Sequence, residues 1–427
     1  MGSIPITRFV VIYISGCGGE LSLHVWTGGY GGIGRRARFR FWWDTRAGSS
    51  PVIRIFKDTR EPYLCGFRVF YLYTTGVKAP REGFYSLRRR NMKQDQRICI
   101  WDNLKCFLML SVVLGHFVNQ YPDSSFMRSM SIIIYSYHMP LFIFVAGLLQ
   151  KKWTKERPFR WDKPVYYIIL GYLLKIFIYM VKVAFGQEAV FSLFTDTGIP
   201  GYMFAMAAYM VIAWGIRKWN PKICLVVSVV LALLAGYVVE IGSFLYLSRI
   251  LVFFPFYYAG YLLDSETVLA FTRQKWVRAA SVFVILAGLF VSFYWIDDIF
   301  SIIRMFTGRN AYALIRIPGC GWQHRLLCYA VTVVVSVALI SLMPDKRLAP
   351  AEAVGKNTLQ IYFWHRLVLY IMMFSGFSDA IRQNCGMFWI PVYLLIAVLL
   401  TFVLSLRCFG WPLQKVKELQ MCIKNAM

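Results

Sequence analysis

The chain has 427 residues, 58% of them hydrophobic and 17% aromatic, with a mean hydropathy of +0.53. That composition excludes an ordinary soluble enzyme and fits a polytopic membrane protein. The net charge of +26 resembles a nucleic-acid signal, but the basic residues gather at the ends of apolar segments, where membrane topology puts them. The expected partner is therefore the lipid bilayer and no nucleic acid. The ten cysteines are scattered, without a C-x-x-C pair or Cys/His metal spacing, so neither a disulfide framework nor a metal is expected.

Residues 1–91 read differently from the rest. They hold 15 Lys+Arg against 5 Asp+Glu, many glycines, and no sustained helical or strand period. Gly48-Ser49-Ser50-Pro51 can be encoded by GGT TCG AGT CCC, the T-arm consensus of a transfer-RNA gene. The upstream GGIGRRA can be encoded by a D-arm. The expectation is a non-native leader read through such a gene, with the natural start at Met92. A disordered basic arm is the alternative. The working domain is then 92–427.

From Met92 onward the sequence predicts an all-α fold, a polytopic membrane helix bundle of about ten transmembrane helices. The apolar segments lie at about 101–119, 129–149, 164–185, 199–216, 222–240, 244–263, 277–296, 324–343, 356–375 and 389–408. The basic loops at 151–163, 217–222, 273–278 and 345–356 fall on one side if ten helices alternate, so both termini are expected in the cytoplasm of a cell (inner or cytoplasmic) membrane protein. The loop 297–323 breaks the pattern with Arg304, Arg309 and Arg316, and reads as re-entrant, interfacial, or part of a site on the outer face.

The first segment, WDNLKCFLMLSVVLGH (101–116), is greasy enough for the membrane yet carries Asp102, Lys105 and His116. Lys105 and His116 are eleven residues apart, about 16 Å of helical rise, and within about 20° around the helix. Asp102 lies about 40° to the other side of His116, so the three share one stripe. His138 sits mid-way along the second segment, just before the helix-kinking Pro140, and His365 mid-way along the ninth. A lone membrane histidine is ordinarily a helix–helix hydrogen-bond partner. Three at comparable depth favour a site. Neutral imidazole takes a proton from an attacking hydroxyl, and a nearby cation holds a phosphate or a developing oxyanion. That chemistry suits acyl transfer to an alcohol, and it suits proton relay in a transporter or flippase equally well.

At these same residues the chain resembles the acyltransferase type 3 integral membrane family, in particular its fucose 4-O-acetylase-like branch. The matching pieces are DNLKCFLMLSVVLGH (102–116), YHMPLFIFVAGLL (137–149), FFPFYYAGYLL (253–263) and GKNTLQIYFWH (355–365), in family order and at family-like distances. The resemblance implies O-acylation, usually O-acetylation, of a cell-envelope carbohydrate, with acetyl-CoA or another acyl-CoA as co-substrate. Polysaccharide-synthesis proteins are possible partners. It places His116 as the key histidine, Lys105 where many members have Arg, and Arg97 as the basic residue before the first helix. The candidate catalytic set is His116, Lys105 and Asp102. His138, His365, Arg97 and Asn357 are the substrate-side candidates, and Lys151, Lys152 and Lys356 those that draw in the coenzyme phosphates. The ordinary reading of those last lysines is topogenic charge.

Overall fold

The computed structural model describes residues 99–422 with their side chains, apart from 151, 154–157, 196–197, 243 and 318. Elsewhere it describes the backbone of residues 81–98 and 423–426 and of four short strands. The reading of 1–91 as a leader, and the candidates Arg97 and Lys151, lie outside the described side chains. The chain divides into two compact units, Met1–Leu87 and Arg88–Met427. In the first, β1 (Phe9–Cys17), β2 (Glu20–Gly28), β3 (Arg36–Arg38) and β4 (Arg68–Phe70) pair antiparallel in the order β3-β2-β1-β4.

The second unit is all-α. Helix α1 (Arg81–Val118), apolar over Cys99–Val118, leads to α2 (Ser125–Leu149) and α3 (Asp162–Ala184), followed by α4 (Gly201–Gly215), α5 (Pro221–Leu234) and α6 (Leu247–Leu262). Next come α7 (Ser265–Thr272), α8 (Lys275–Tyr294), two single turns α9 (Ile296–Ile299) and α10 (Ile303–Phe306), and α11 (Gly321–Leu342). The chain closes with α12 (Ala349–Lys356), α13 (Thr358–Phe374), α14 (Phe377–Asn384), α15 (Trp389–Leu404) and α16 (Trp411–Ala426).

All ten apolar segments of the sequence carry a helix. Six helices among the described residues are long and apolar enough to cross a membrane: α1, α2, α3, α8, α11 and the stretch Gly386–Leu404 around α15. The other four segments hold shorter helices, α4, α5, α6 and α13, of 14–17 residues. At 1.5 Å per residue they reach about 21–26 Å, less than the hydrocarbon core of a bilayer. The apolar run of α6 is cut short because Leu245 and Tyr246 take left-handed backbone conformations just before it. The outer helices present apolar side chains outward. Beyond Arg278 α8 carries no charge, yet only 17% of its apolar window is buried, and Phe283, Leu286 and Phe290 are exposed on it. A helix that is greasy all round and uncovered by protein needs lipid as its solvent.

The centre is tighter. α2 and α6 meet where Gly147 faces Gly260. A Cβ added at Gly147 would come within 2.1 Å of the Tyr257 carbonyl oxygen, and one at Gly260 within 2.1 Å of that of Phe144. Small residues of this kind let membrane helices approach backbone to backbone. Each of the two helices also contains a proline, Pro140 and Pro255. Pro140 has no N–H to give to the carbonyl of Ser136. That freed carbonyl accepts instead from Thr332 Oγ1 of α11 at 2.6 Å. Beside Pro255, the Val252 carbonyl accepts from the Tyr329 hydroxyl of α11. Both proline-bearing turns are thereby tied to α11, and Met139 and Phe253 close to the two prolines line one cavity.

Candidate functional site

A cavity of about 320 Å³ lies between α1, α2, α4, α6 and α13. Its wall includes His116 and Asn119 at the end of α1, Tyr135 and His138 of α2, and Tyr202 and Tyr209 of α4. Arg249 of α6 and Tyr362, Arg366 and Tyr370 of α13 complete the helical part. The loop 297–323 contributes too: Phe306, Thr307, Arg309 and Asn310 close one side. Ser248 Oγ donates to the Gly308 carbonyl at 2.8 Å and pins that loop to α6.

The three histidines of the sequence converge here. His116 and His138 line the cavity. His365 does not, but its ring stacks on that of His116, centroids 5.2 Å apart and planes at 30°. Two of the three have their tautomer set by the helix that carries them. His138 Nδ1 lies 2.8 Å from the Ile134 carbonyl, and His365 Nδ1 lies 3.1 Å from that of Ile361. A carbonyl only accepts, so in each neutral ring Nδ1 bears the hydrogen and Nε2 keeps a lone pair. His365 is fully buried, and its Nε2 has no hydrogen-bond partner. His138 therefore offers a fixed basic nitrogen to the cavity, and His365 backs His116 from behind.

The remaining sequence candidates sit elsewhere. Lys105 pairs with Asp102, Nζ to Oδ1 2.7 Å, and neither residue borders the cavity. Their neighbour Asn103 donates to the carbonyls of Pro344 and Lys346 at 3.0 and 2.9 Å. This end of α1 is thus stitched to the segment before α12, more than three turns from His116. Asn357 ties α13 to the end of α15 through the Ser405 carbonyl at 3.0 Å. Lys152 makes a loose, exposed pair with Asp264 at 3.4 Å, the kind of contact worth little. Lys356 pairs with Glu352, whose carboxyl is held below the usual range by hydrogen bonds from Arg347 and Lys356.

Other polar residues of the bundle interior escaped the sequence reading. Arg366 follows His365 directly and faces the cavity. Arg249 Nη1 donates to the Gly198 carbonyl at 2.5 Å, and the Tyr362 hydroxyl to that of Ile199 at 2.8 Å. Lys175 of α3 is buried, and its ammonium reaches the carbonyls of Ser192, Leu193 and Thr195 at 2.7, 3.2 and 2.9 Å. Together these hold residues 192–195 and 198–199, and Gly198 and Ile199 form part of the cavity wall. The available signal was a basic residue in an otherwise apolar segment, which is costly unless it serves a cavity or a partner. Among the described residues no cluster of three or more His, Cys, Asp or Glu is placed to hold a metal ion.

The family model Acyl_transf_3, an acyltransferase domain, matches residues 100–406. The chain belongs to this acyltransferase family. The match takes in every helix that borders the cavity, together with the loop carrying Arg309. The acyltransferase is thus an enzyme that moves acyl groups other than amino-acyl groups. No curated protein and no solved structure matches the chain.

Proposed function

We propose that the protein is a membrane O-acyltransferase of the fucose 4-O-acetylase-like branch. It moves an acyl group, in the first instance acetyl, from acyl-CoA to a hydroxyl of a cell-envelope sugar or polysaccharide. The reading places it in the cytoplasmic membrane with both termini in the cytoplasm. The observation that carries it is the presence of His116 and His138 in one cavity whose wall also bears arginines, with His365 stacked on His116.

The chemistry follows from those groups. An imidazole nitrogen, first of all that of His116, takes the proton of the acceptor hydroxyl as its oxygen attacks the thioester carbonyl. The new C–O bond leaves a tetrahedral oxyanion, which a guanidinium on the wall stabilises. Collapse of the intermediate breaks the C–S bond, and the departing thiolate receives the proton from the imidazolium. The products are an ester and free coenzyme A. His138, with Nε2 unprotonated, is placed to share the base role. His365 sets the position of the His116 ring through the stack.

The test is incubation of membranes containing the protein with radiolabelled acetyl-CoA and envelope glycan. Alkali-labile label in the carbohydrate is expected. Movement of a sugar across the membrane with no covalent change would overturn the reading in favour of a transporter.

A further inference from the structure

The cavity has an imbalance of charge. Arg249, Arg309 and Arg366 line it, Arg249 already bound to the Gly198 carbonyl, and no Asp or Glu does among the described residues. Arginines in nearby segments are treated differently. Arg128 pairs with Asp297 at 2.7 Å, and Arg382 pairs with Asp123. Arg366 makes no ion pair among the described residues. Its guanidinium sits over the Tyr370 ring, 4.5 Å from the centroid, with a long 3.5 Å contact to the Tyr370 hydroxyl, and its Nε is buried with no hydrogen-bond partner. Arg309 makes no ion pair among the described residues. The loop carrying it is already fixed, because Ser248 holds Gly308 and Asn310 Nδ2 donates to the Arg304 carbonyl and to Thr307 Oγ1, both at 3.1 Å. A cation held on a preordered loop loses little freedom on meeting a ligand.

Arg366 is half-buried, and withdrawing a guanidinium from water without a counter-charge is costly, whereas Arg309 is exposed and keeps its water until a ligand arrives. Their planar fork matches the oxygens of a carboxylate or a phosphate. At about 320 Å³ the cavity is at the small end of ligand pockets, the scale of one sugar unit with its acyl group.

We infer that the cavity takes an acceptor bearing its own negative charge, a sugar with a carboxylate or a phosphate. Arg309 and Arg366 hold the anion, and a hydroxyl of the same sugar faces His116 and His138. The inference rests on the acyltransferase reading for what happens to that hydroxyl, but not for the choice of ligand.

Binding to the purified full chain in detergent tests it, read as the ligand-dependent shift in melting midpoint. The probes are D-galacturonate, D-galactose 6-phosphate, neutral D-galactose and, separately, coenzyme A. At least one anionic sugar is expected to bind about tenfold or more tighter than galactose, and which one does so tells carboxylate from phosphate. Arg366→Gln and Arg309→Gln should each remove most of that preference, while Arg366→Lys should keep part of it. The midpoint without ligand reports whether each variant is folded. Equal affinity for galactose and both anions would overturn the inference. So would Gln variants that weaken coenzyme A binding and leave the sugar preference intact, which would assign the arginines to the donor. Charge-selective binding without acetyl transfer would refute the enzymatic reading alone. Transfer to sugars without charge selectivity would refute this inference alone.

Discussion

Replacing Lys175 by Met removes one ammonium and keeps the length and apolar stem of the side chain. In the folded protein that ammonium spends its three N–H donors on the carbonyls of Ser192, Leu193 and Thr195. It also lies 5.1 Å from the centre of the Tyr246 ring and 5.7 Å from that of Phe204. Side-chain hydrogen bonds inside membrane proteins are worth about 0.6–1.7 kcal/mol each, so three give about 2–5 kcal/mol. The loss falls on a segment that runs directly into Gly198 and Ile199 of the cavity wall. At about 1.4 kcal/mol per tenfold, the open form of that segment should become at least about 30-fold more populated. Hydrogen exchange on peptides covering 188–201, in detergent, reads this directly. The expected result is faster exchange there, with little change in α2 and α6, and partial recovery in Lys175→Arg. Exchange of 188–201 unchanged in Lys175→Met would refute the idea that this lysine anchors the wall.

Three further outcomes are expected. Gly260→Val should force α2 and α6 apart, since even a Cβ there meets the Phe144 carbonyl, and the melting midpoint in detergent should fall sharply; an unchanged midpoint contradicts the close-packing account. Lys105→Ala should destabilise the protein by stranding the buried Asp102 carboxylate, whereas Lys105→Arg and Asp102→Asn should be milder, as judged by yield and melting of purified protein. For topology, cysteine placed at position 193 should react with an impermeant reagent from outside intact cells and cysteine at position 155 should not; the reverse pattern rejects cytoplasmic termini.

The features legible in the sequence were those that local chemistry makes costly. His116, His138 and His365 stood out because an imidazole facing lipid is unfavourable, and all three meet at one place. Pro140 announced a freed carbonyl, although nothing in the sequence pointed to Thr332 as the group that would take it. The loop 297–323 was visible as a charged exception, and it supplies Arg309. The Lys105–His116 stripe was correct as helical geometry but did not mean one shared cavity. A stripe more than three turns long carries Lys105 well away from the level of His116, and Asp102 sits one turn from Lys105 to neutralise it. Arg249, Arg366 and Lys175 were missed because a single basic residue in an apolar run does not show which groups it will meet. Their roles depend on carbonyls and rings from distant segments. Helix lengths were overestimated for α4, α5, α6 and α13 because hydropathy does not register where the backbone turns.

The most direct test of the central claim is acyl transfer by His116→Ala, assayed in membranes with protein amounts equalised by immunoblot. His116 lines the cavity and stacks on His365, so its loss should lower turnover by about 10²–10⁴, the range of general acid–base catalysis. Protein level and insertion should stay near normal. Transfer by His116→Ala at close to the unaltered rate would contradict the assignment of this histidine as the base.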